Sequence, residues 1–264
     1  MPVVLDAQGL CKSFGAVTAA AEVSAAIEKD SVVGLIGTNG AGKTTFINMI
    51  TGYLKPDRGA IAYEGRDITR LAPRDITRLG ICRSFQIPQL YGSLSVLENM
   101  MIGIGIVLRN GGLGGYFSRG EPLVPGFGRP PREVAEQLLG RFGLLEDRER
   151  NAQVLPGGAR KLLDIALTMV TKPRVLLLDE PTSGVSAGEK FGIMQMVLDA
   201  ARAEGATVLF VEHDMEVVSR FAQRVLAFYD GRIVADAPPQ AVLQDPQVKR
   251  YVVGSHDVRR NGSA

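Results

Sequence analysis

The sequence predicts an α/β fold interrupted by an inserted segment, and three observations carry this. An apolar run, Ser31–Gly37, ends in a glycine-rich loop and is followed by a helical stretch. Apolar strand-like runs alternate with amphipathic helical stretches between Val175 and Ala235. Between these regions, residues 103–128 hold nine of the 31 glycines and two of the 14 prolines. Such a composition breaks regular structure, so a surface loop or insertion is expected there.

The elements follow in order. Val3–Leu5 and Val17–Ile27 read as strands, the second ambiguous because it is rich in alanine. Ser31–Gly37 reads as a buried strand, and Lys43–Thr51 as a helix stopped by Gly52. Gly59–Tyr63 is a strand, Pro73–Leu79 a short helix with proline in its first turn, and Gly80–Phe85 a strand. Leu94–Met101 is helical with Ser95 as its cap. In Glu133–Phe142, residues Val134, Leu138, Leu139 and Phe142 share one helical face. Val175–Leu178 is a strand and Gly188–Ala203 a helix with Ile193, Met196, Val197 and Ala200 on one face. Thr207–Val211 is a strand and Met215–Phe221 a helix. Val225–Tyr229 and Arg232–Ala235 flank Asp230-Gly231, a hairpin signal. Pro239–Leu243 and Gln247–Val252 are short terminal helices, and the polar tail from Ser255 is expected to fray.

Composition narrows the class. With 45% hydrophobic and 22% charged residues, the 264-residue chain can bury a core. Lys plus Arg number 30 and Asp plus Glu 28, a net charge of +2 that gives no support for a whole-surface nucleic-acid binder and leaves room only for a local basic patch. No run approaches the roughly 18 apolar residues of a membrane span. Met1–Asp6 lacks the plan of a secretion signal, and Cys11 and Cys82 suggest neither a disulfide framework nor a metal site. A soluble protein of a reducing compartment is expected.

Two motifs carry chemistry. Gly37-Thr38-Asn39-Gly40-Ala41-Gly42-Lys43-Thr44 fits GxxxxGK[ST] at every required position. Glycines let successive N–H groups converge on phosphate oxygens at a helix N-terminus. Lys43 then reaches the outer phosphates, and the Thr44 hydroxyl can ligate Mg²⁺. The bland alternative is a loop that only turns a strand into a helix; the preceding apolar strand and following helix argue against it. Val175-Leu176-Leu177-Leu178-Asp179-Glu180 is an apolar strand ending in two carboxylates. Two negative charges at a buried strand tip are costly unless a cation is present; a strand capped by solvated acids is the plain alternative. Asp179 can hold the metal through water, and Glu180 can polarise an attacking water.

Together with Gln86, His213 and Leu155-Pro156-Gly157-Gly158-Ala159, these motifs resemble an ATP-binding cassette (ABC) ATPase over residues 3–253. The resemblance implies a P-loop, RecA-like α/β core with a mixed sheet, an N-terminal antiparallel β part and an inserted α-helical subdomain. It implies a split core of residues 1–86 and 173–245, an inserted subdomain of 87–172, and a C-terminal helix and tail of 246–264. It places Phe14 on adenine, and Gly37, Asn39, Gly40, Ala41, Gly42, Lys43, Thr44 and Thr45 on the phosphates of ATP. It places Thr44, Gln86 and Asp179 on Mg²⁺. The catalytic set it implies is Glu180, His213, Lys43 and Gln86, with Glu180 acting on water and His213 on the developing charge. The groove near Gln86 and residues 87–103 is the implied docking surface for membrane subunits. The glycine-rich segment either touches those subunits or is a plain solvated loop.

The sequence departs from the pattern in two places. The usual signature LSGGQ reads Leu155-Pro156-Gly157-Gly158-Ala159, and Ser186 stands where aspartate is common. In the family this signature closes over ATP held by a second subunit. Pro156 has neither hydroxyl nor N–H, while Gly157 and Gly158 keep their backbone donors. One weakened and one competent site would result if the partner were a different ATPase with a normal signature; a homodimer that tolerates proline is the alternative.

The stretches Gly80–Gln86, Leu94–Met100 and Pro239–Tyr251 resemble the branched-chain amino-acid importer group. That group implies a second ATPase, two transmembrane permease subunits and a substrate-binding protein, with this chain peripheral on the cytoplasmic side of the plasma membrane and no nucleic-acid partner. A soluble ABC ATPase acting on DNA or ribosomes, or a nucleotide-sensing module, remains the alternative.

Overall fold

The fold was analysed in a computed structural model, which describes residues 2–84, 90–110 and 122–254. In chain order its elements are β1 (Val3–Phe14), β2 (Val17–Glu28), β3 (Val32–Gly37), α1 (Lys43–Ile50), β4 (Arg58–Tyr63), β5 (Arg66–Asp67), α2 (Pro73–Arg78) and β6 (Ile81–Arg83). Then come α3 (Val96–Asn110), α4 (Pro131–Arg141), α5 (Gly157–Met169), β7 (Val175–Asp179), α6 (Lys190–Ala203) and β8 (Thr207–Val211). The chain closes with α7 (Met215–Phe221), β9 (Arg224–Tyr229), β10 (Arg232–Ala237), α8 (Pro239–Gln244) and α9 (Pro246–Val248). A π-helical turn, Lys249–Val253, follows α9.

The strands form two sheets. An antiparallel sheet runs β2-β1-β4-β5, and a mixed sheet runs β10-β9-β3-β8-β7-β6. In the second sheet β3 pairs in parallel with both β8 and β9, and β7 pairs in parallel with β8. A strand buried on both faces has no polar alternation, and β3, β7 and β8 are accordingly buried throughout, with polar side chains only at the end of β7 (Asp179) and the start of β8 (Thr207). The β9–β10 hairpin turns at Asp230 and Gly231, whose φ angles are 46° and 71°, as the Asp-Gly pair predicts.

The chain forms two compact units. The first comprises Met1–Cys82, Val175–Glu180 and Ala206–Ala264; the second comprises Arg83–Arg174 and Pro181–Gly205. Inner residues of both sheets, among them Leu10, Ile27, Leu35, Leu177 and Phe228, form one apolar core in the first unit together with Phe46 of α1. The stretch Pro181–Gly205 was expected in the split core but groups with the second unit. Its helix α6 packs on α5, with Ile193 against Gly158. Residues 246–254, expected as a separate terminal segment, group with the first unit.

The middle of the chain corrects the sequence reading. Helix α3 does not end near Met101 but runs to Asn110, through Gly103 and Gly105. The buried series Val96, Met100 and Ile104 holds it at helical spacing. Gly103 is the point where α3 meets α5: a Cβ there would stand 2.6 Å from Leu167 Cδ2. The glycine therefore permits close packing rather than breaking the helix. The start of α3 is a reciprocal cap: Glu98 N–H donates to Ser95 Oγ at 3.1 Å, and Ser95 N–H donates to Glu98 Oε2 at 2.7 Å. Buried Asn99 fixes the preceding turn by accepting from Tyr91 N–H and donating to the carbonyls of Tyr91 and Ser95. No helix among the described residues is long and apolar enough to cross a membrane.

Candidate nucleotide-binding site

The loop after β3 is shaped by neighbours that leave no room for a side chain at Gly37 or Gly42. Gly42 adopts φ 106° and ψ −3°, and a Cβ on it would lie 2.7 Å from the Ala19 carbonyl oxygen. A Cβ on Gly37 would lie 2.5 Å from the Phe228 carbonyl oxygen. The loop is braced from the hairpin: Gly231 N–H donates to Ala41 O at 3.1 Å, and Ala21 N–H donates to Gly231 O at 2.8 Å. Phe228 continues this support, its ring 5.5 Å from that of Phe46 on α1. Tyr229, on the same strand, stacks on Tyr251 in the π-helical turn at 4.6 Å.

Lys43 opens α1 and is buried, 6% exposed. Its ammonium folds back onto its own loop, donating to Gly37 O at 2.7 Å and Thr38 O at 3.0 Å. Burial holds its pKa below the ordinary lysine value, opposed by the charges of Glu180 and Asp179. Helix α1 has no side-chain cap and no acid in its first turn, so its N-terminal N–H groups face the loop without a competing anion from its own sequence. Thr44 is exposed and Thr45 half-buried at this end of the helix.

The two carboxylates separate at the tip of β7. Asp179 is the last strand residue and is buried. Glu180 leaves the strand with φ 48°, a left-handed conformation that non-glycine residues seldom adopt. Its N–H donates to Val211 O at 3.1 Å. The turn swings its side chain to His213, whose Nε2 lies 3.2 Å from Glu180 Oε1. The two residues are 33 apart in sequence, yet β7 and β8 are neighbours in the sheet, and His213 follows β8 by two residues. His213 N–H donates to Glu212 Oε2, and Asp214 caps α7 by accepting from Glu216 and Val217 N–H.

Phe14 stands at the end of β1, 52% exposed, with the Lys12 ammonium 5.8 Å from its ring centroid. The first unit thus contains the phosphate-loop motif, Asp179, Glu180, His213 and Phe14, all positions the sequence singled out. Gln86 lies outside the described residues. The direct Glu180–His213 contact and the return of Lys43 onto its own loop were not foreseen. The first arises from strand order and a backbone turn, which no short motif encodes.

A family model described as ABC transporter matches residues 20–183. The chain belongs to the ABC transporter family. A LivG protein of Archaeoglobus fulgidus, named as a probable branched-chain amino acid transport ATP-binding protein, is 33% identical, with 96% of each chain covered. A Salmonella typhimurium LivG, named as a high-affinity branched-chain amino acid transport ATP-binding protein, is also 33% identical, covering 95% of this chain and 98% of its own. A solved ATP-binding cassette of an ABC transporter, MJ1267, superposes with TM-score 0.81 at 33% identity, over 95% of this chain and 98% of that one. The expected fold class, an antiparallel β part joined to a mixed α/β P-loop sheet with further helices, is the fold of this ABC ATPase.

In the second unit of the ABC ATPase, Pro156 precedes α5 as its N-cap and supplies no side-chain cap. A Cβ on Gly158 would stand 2.9 Å from Ile193 Cδ1, and one on Gly157 3.2 Å from the Gly184 carbonyl oxygen. These glycines therefore have a packing reason within their own unit. No cluster of three or more His, Cys, Asp or Glu suited to a metal occurs among the described residues. The hydroxyl of Thr44 and the carboxylate of Asp179 are hard oxygen donors of the kind Mg²⁺ takes when phosphates and waters complete its shell.

Proposed function

We propose that this ABC ATPase binds MgATP in the first unit and hydrolyses it to drive import of branched-chain or related amino acids. The observation that carries the hydrolytic reading is the Glu180–His213 contact at the tip of β7, beside a buried phosphate-loop lysine. The cargo rests on likeness to relatives named for branched-chain amino acid transport over nearly the whole chain.

Phe14 carries adenine, and Gly37, Asn39, Gly40, Ala41, Gly42, Thr44 and Thr45 form the phosphate cradle. Lys43 exchanges its two loop carbonyls for phosphate oxygens, which restores a full charge partner to a partly desolvated ammonium. Thr44, Asp179 and Gln86 would hold Mg²⁺, which would neutralise phosphate charge. Glu180 orients a water for in-line attack and takes its proton. His213, placed against Glu180, fixes that carboxylate and meets the charge that develops on the transferred phosphoryl oxygens.

The ATPase works as a pair. Gly157 and Gly158 face the nucleotide of a second ATPase subunit, and Pro156 weakens that contact by lacking a hydroxyl and an N–H. A heterodimer follows, with a second cassette that supplies a normal signature to this chain's Lys43, Glu180 and His213. Two permease subunits dock near Gln86 and residues 87–103, of which Tyr91 and Met101 are exposed. A substrate-binding protein acts from the far side, and the chain sits on the cytoplasmic face of the plasma membrane. The test is purification of tagged Glu180→Gln protein with MgATP from native membranes, with every co-purifying chain identified. Two polytopic proteins and a second cassette with LSGGQ are expected. Stable ATP-dependent self-association of this chain alone would refute the heterodimer. Recovery with ribosomes or DNA would refute the transporter role.

A further inference from the structure

We infer that Asp57 is a positioning residue for the nucleotide base, acting through Phe14. The inference rests on the assignment of Phe14 to adenine. Phe14 is more than half exposed, so packing does not set the direction of its ring. The backbone beneath it is irregular. The β1–β2 ladder shifts register between Leu10 and Lys12 and again between Lys12 and Ser13, and the β1–β4 ladder shifts between Gln8 and Cys11. In a strand, a slip of one residue turns every later side chain to the opposite face. Phe14 itself pairs with Val17 just beyond these shifts, so its facing depends on how the irregular residues Cys11 to Ser13 are held.

Asp57 supplies what the ladders lack, one bond to each of three consecutive residues. Its N–H donates to Cys11 O at 2.8 Å. Its Oδ1 accepts from Lys12 Nζ at 2.7 Å, and its Oδ2 accepts from Ser13 N–H at 2.9 Å. Both side-chain contacts favour the ionised carboxylate, and they hold its pKa below the usual range. The same clamp fixes the Lys12 stem, whose ammonium stands over the Phe14 ring and is attracted to its face. An exposed ion pair stabilises a fold little. The effect of this one lies in the direction in which Phe14 is presented.

The test compares ATP with inorganic tripolyphosphate, which shares the phosphates and lacks the base. Dissociation constants are measured by calorimetry for the wild type, Phe14→Ala, Asp57→Ala, Asp57→Asn and the Phe14→Ala/Asp57→Ala double variant, with thermal unfolding of each. Base stacking on an aromatic accounts for about fivefold or more in affinity. Phe14→Ala is expected to weaken ATP by at least that factor and to leave tripolyphosphate within about twofold. Asp57→Ala is expected to weaken ATP selectively and to add nothing in the Phe14→Ala background, while Asp57→Asn, which keeps an acceptor for Ser13, falls between. If Phe14→Ala weakens ATP but Asp57→Ala does not, or weakens both ligands equally, the positioning role is overturned and the adenine assignment stands. If Phe14→Ala leaves the ratio of the two ligands unchanged, the adenine assignment falls and the positioning role with it.

Discussion

Replacing Gly42 by alanine tests how the phosphate loop is held. At φ 106° a side-chain-bearing residue pays for a left-handed conformation, about 1–2 kcal/mol. The added Cβ would also stand 2.7 Å from the Ala19 carbonyl oxygen and 3.3 Å from the Gly231 Cα. Both obstacles are backbone, so no rotamer change relieves them. Strand β2 or the β9–β10 turn must move, at about 1–3 kcal/mol by analogy with overpacked cores. The sum is about 2–5 kcal/mol, against a typical stability of about 5–15 kcal/mol. Gly40 is the internal control. It has φ 81°, yet a Cβ there meets nothing within 4 Å. Gly40→Ala should therefore lose only the conformational part, about 1–2 kcal/mol. At about 2–4 °C per kcal/mol, Gly42→Ala should unfold about 2–12 °C below Gly40→Ala in scanning calorimetry without nucleotide. Equal melting temperatures for the two variants would refute the bracing of the loop by β2 and the hairpin.

Other outcomes follow from the same geometry. Glu180→Gln should retain ATP binding and slow turnover by about 10²–10⁴-fold, read in single-turnover hydrolysis; an unchanged rate removes Glu180 from the chemistry. Burial lowers the Lys43 pKa, so between that lowered value and the ordinary value of about 10.4 the unfolded chain holds a proton that the folded chain has released. Stability therefore rises with pH across that window, and the rise should be smaller in Lys43→Met when urea unfolding is compared over the alkaline range. Gly105→Ala should stabilise the second unit by about 0.5–1 kcal/mol, because its Cβ meets nothing within 4 Å. Gly103→Ala should lack that gain, because Leu167 must give way; equal gains at both positions would contradict the close α3–α5 approach.

What the sequence made legible was local. Gly37, Gly40 and Gly42 sit at positions where positive φ is required, so the loop could be read from residue spacing alone. The Asp230-Gly231 turn was legible for the same reason. Alternation of apolar runs located β7, β8 and α7 with little error, because their burial follows from their own composition. The extension of α3 was not legible, since Gly103 and Gly105 look identical to loop glycines until α5 lies beside them. The grouping of Pro181–Gly205 with the second unit was hidden because covalent neighbours and packing partners differ there. The Glu180–His213 contact needed the order of the sheet, and the three-bond clamp of Asp57 needed the bulges of β1. Motif spacing identifies chemical groups; their mutual distances come from long-range pairing.

The bracing of the phosphate loop by the far end of the chain bears on how the protein is made. Among the described residues, strand β3 has β8 and β9 as its sheet neighbours, and its loop leans on Gly231. Those partners lie some 170–200 residues downstream. At about 5–20 residues per second, a ribosome needs on the order of ten to forty seconds to deliver them. Throughout that interval the apolar β3 has neither of its ladder partners, and the loop has no fixed shape. The nascent chain can therefore pair sheet β2-β1-β4 early but cannot complete a nucleotide site until synthesis is nearly finished. A truncated chain ending before β8 would carry the entire GxxxxGKT motif and still lack the cradle, and its exposed β3 would be a target for chaperones and proteases.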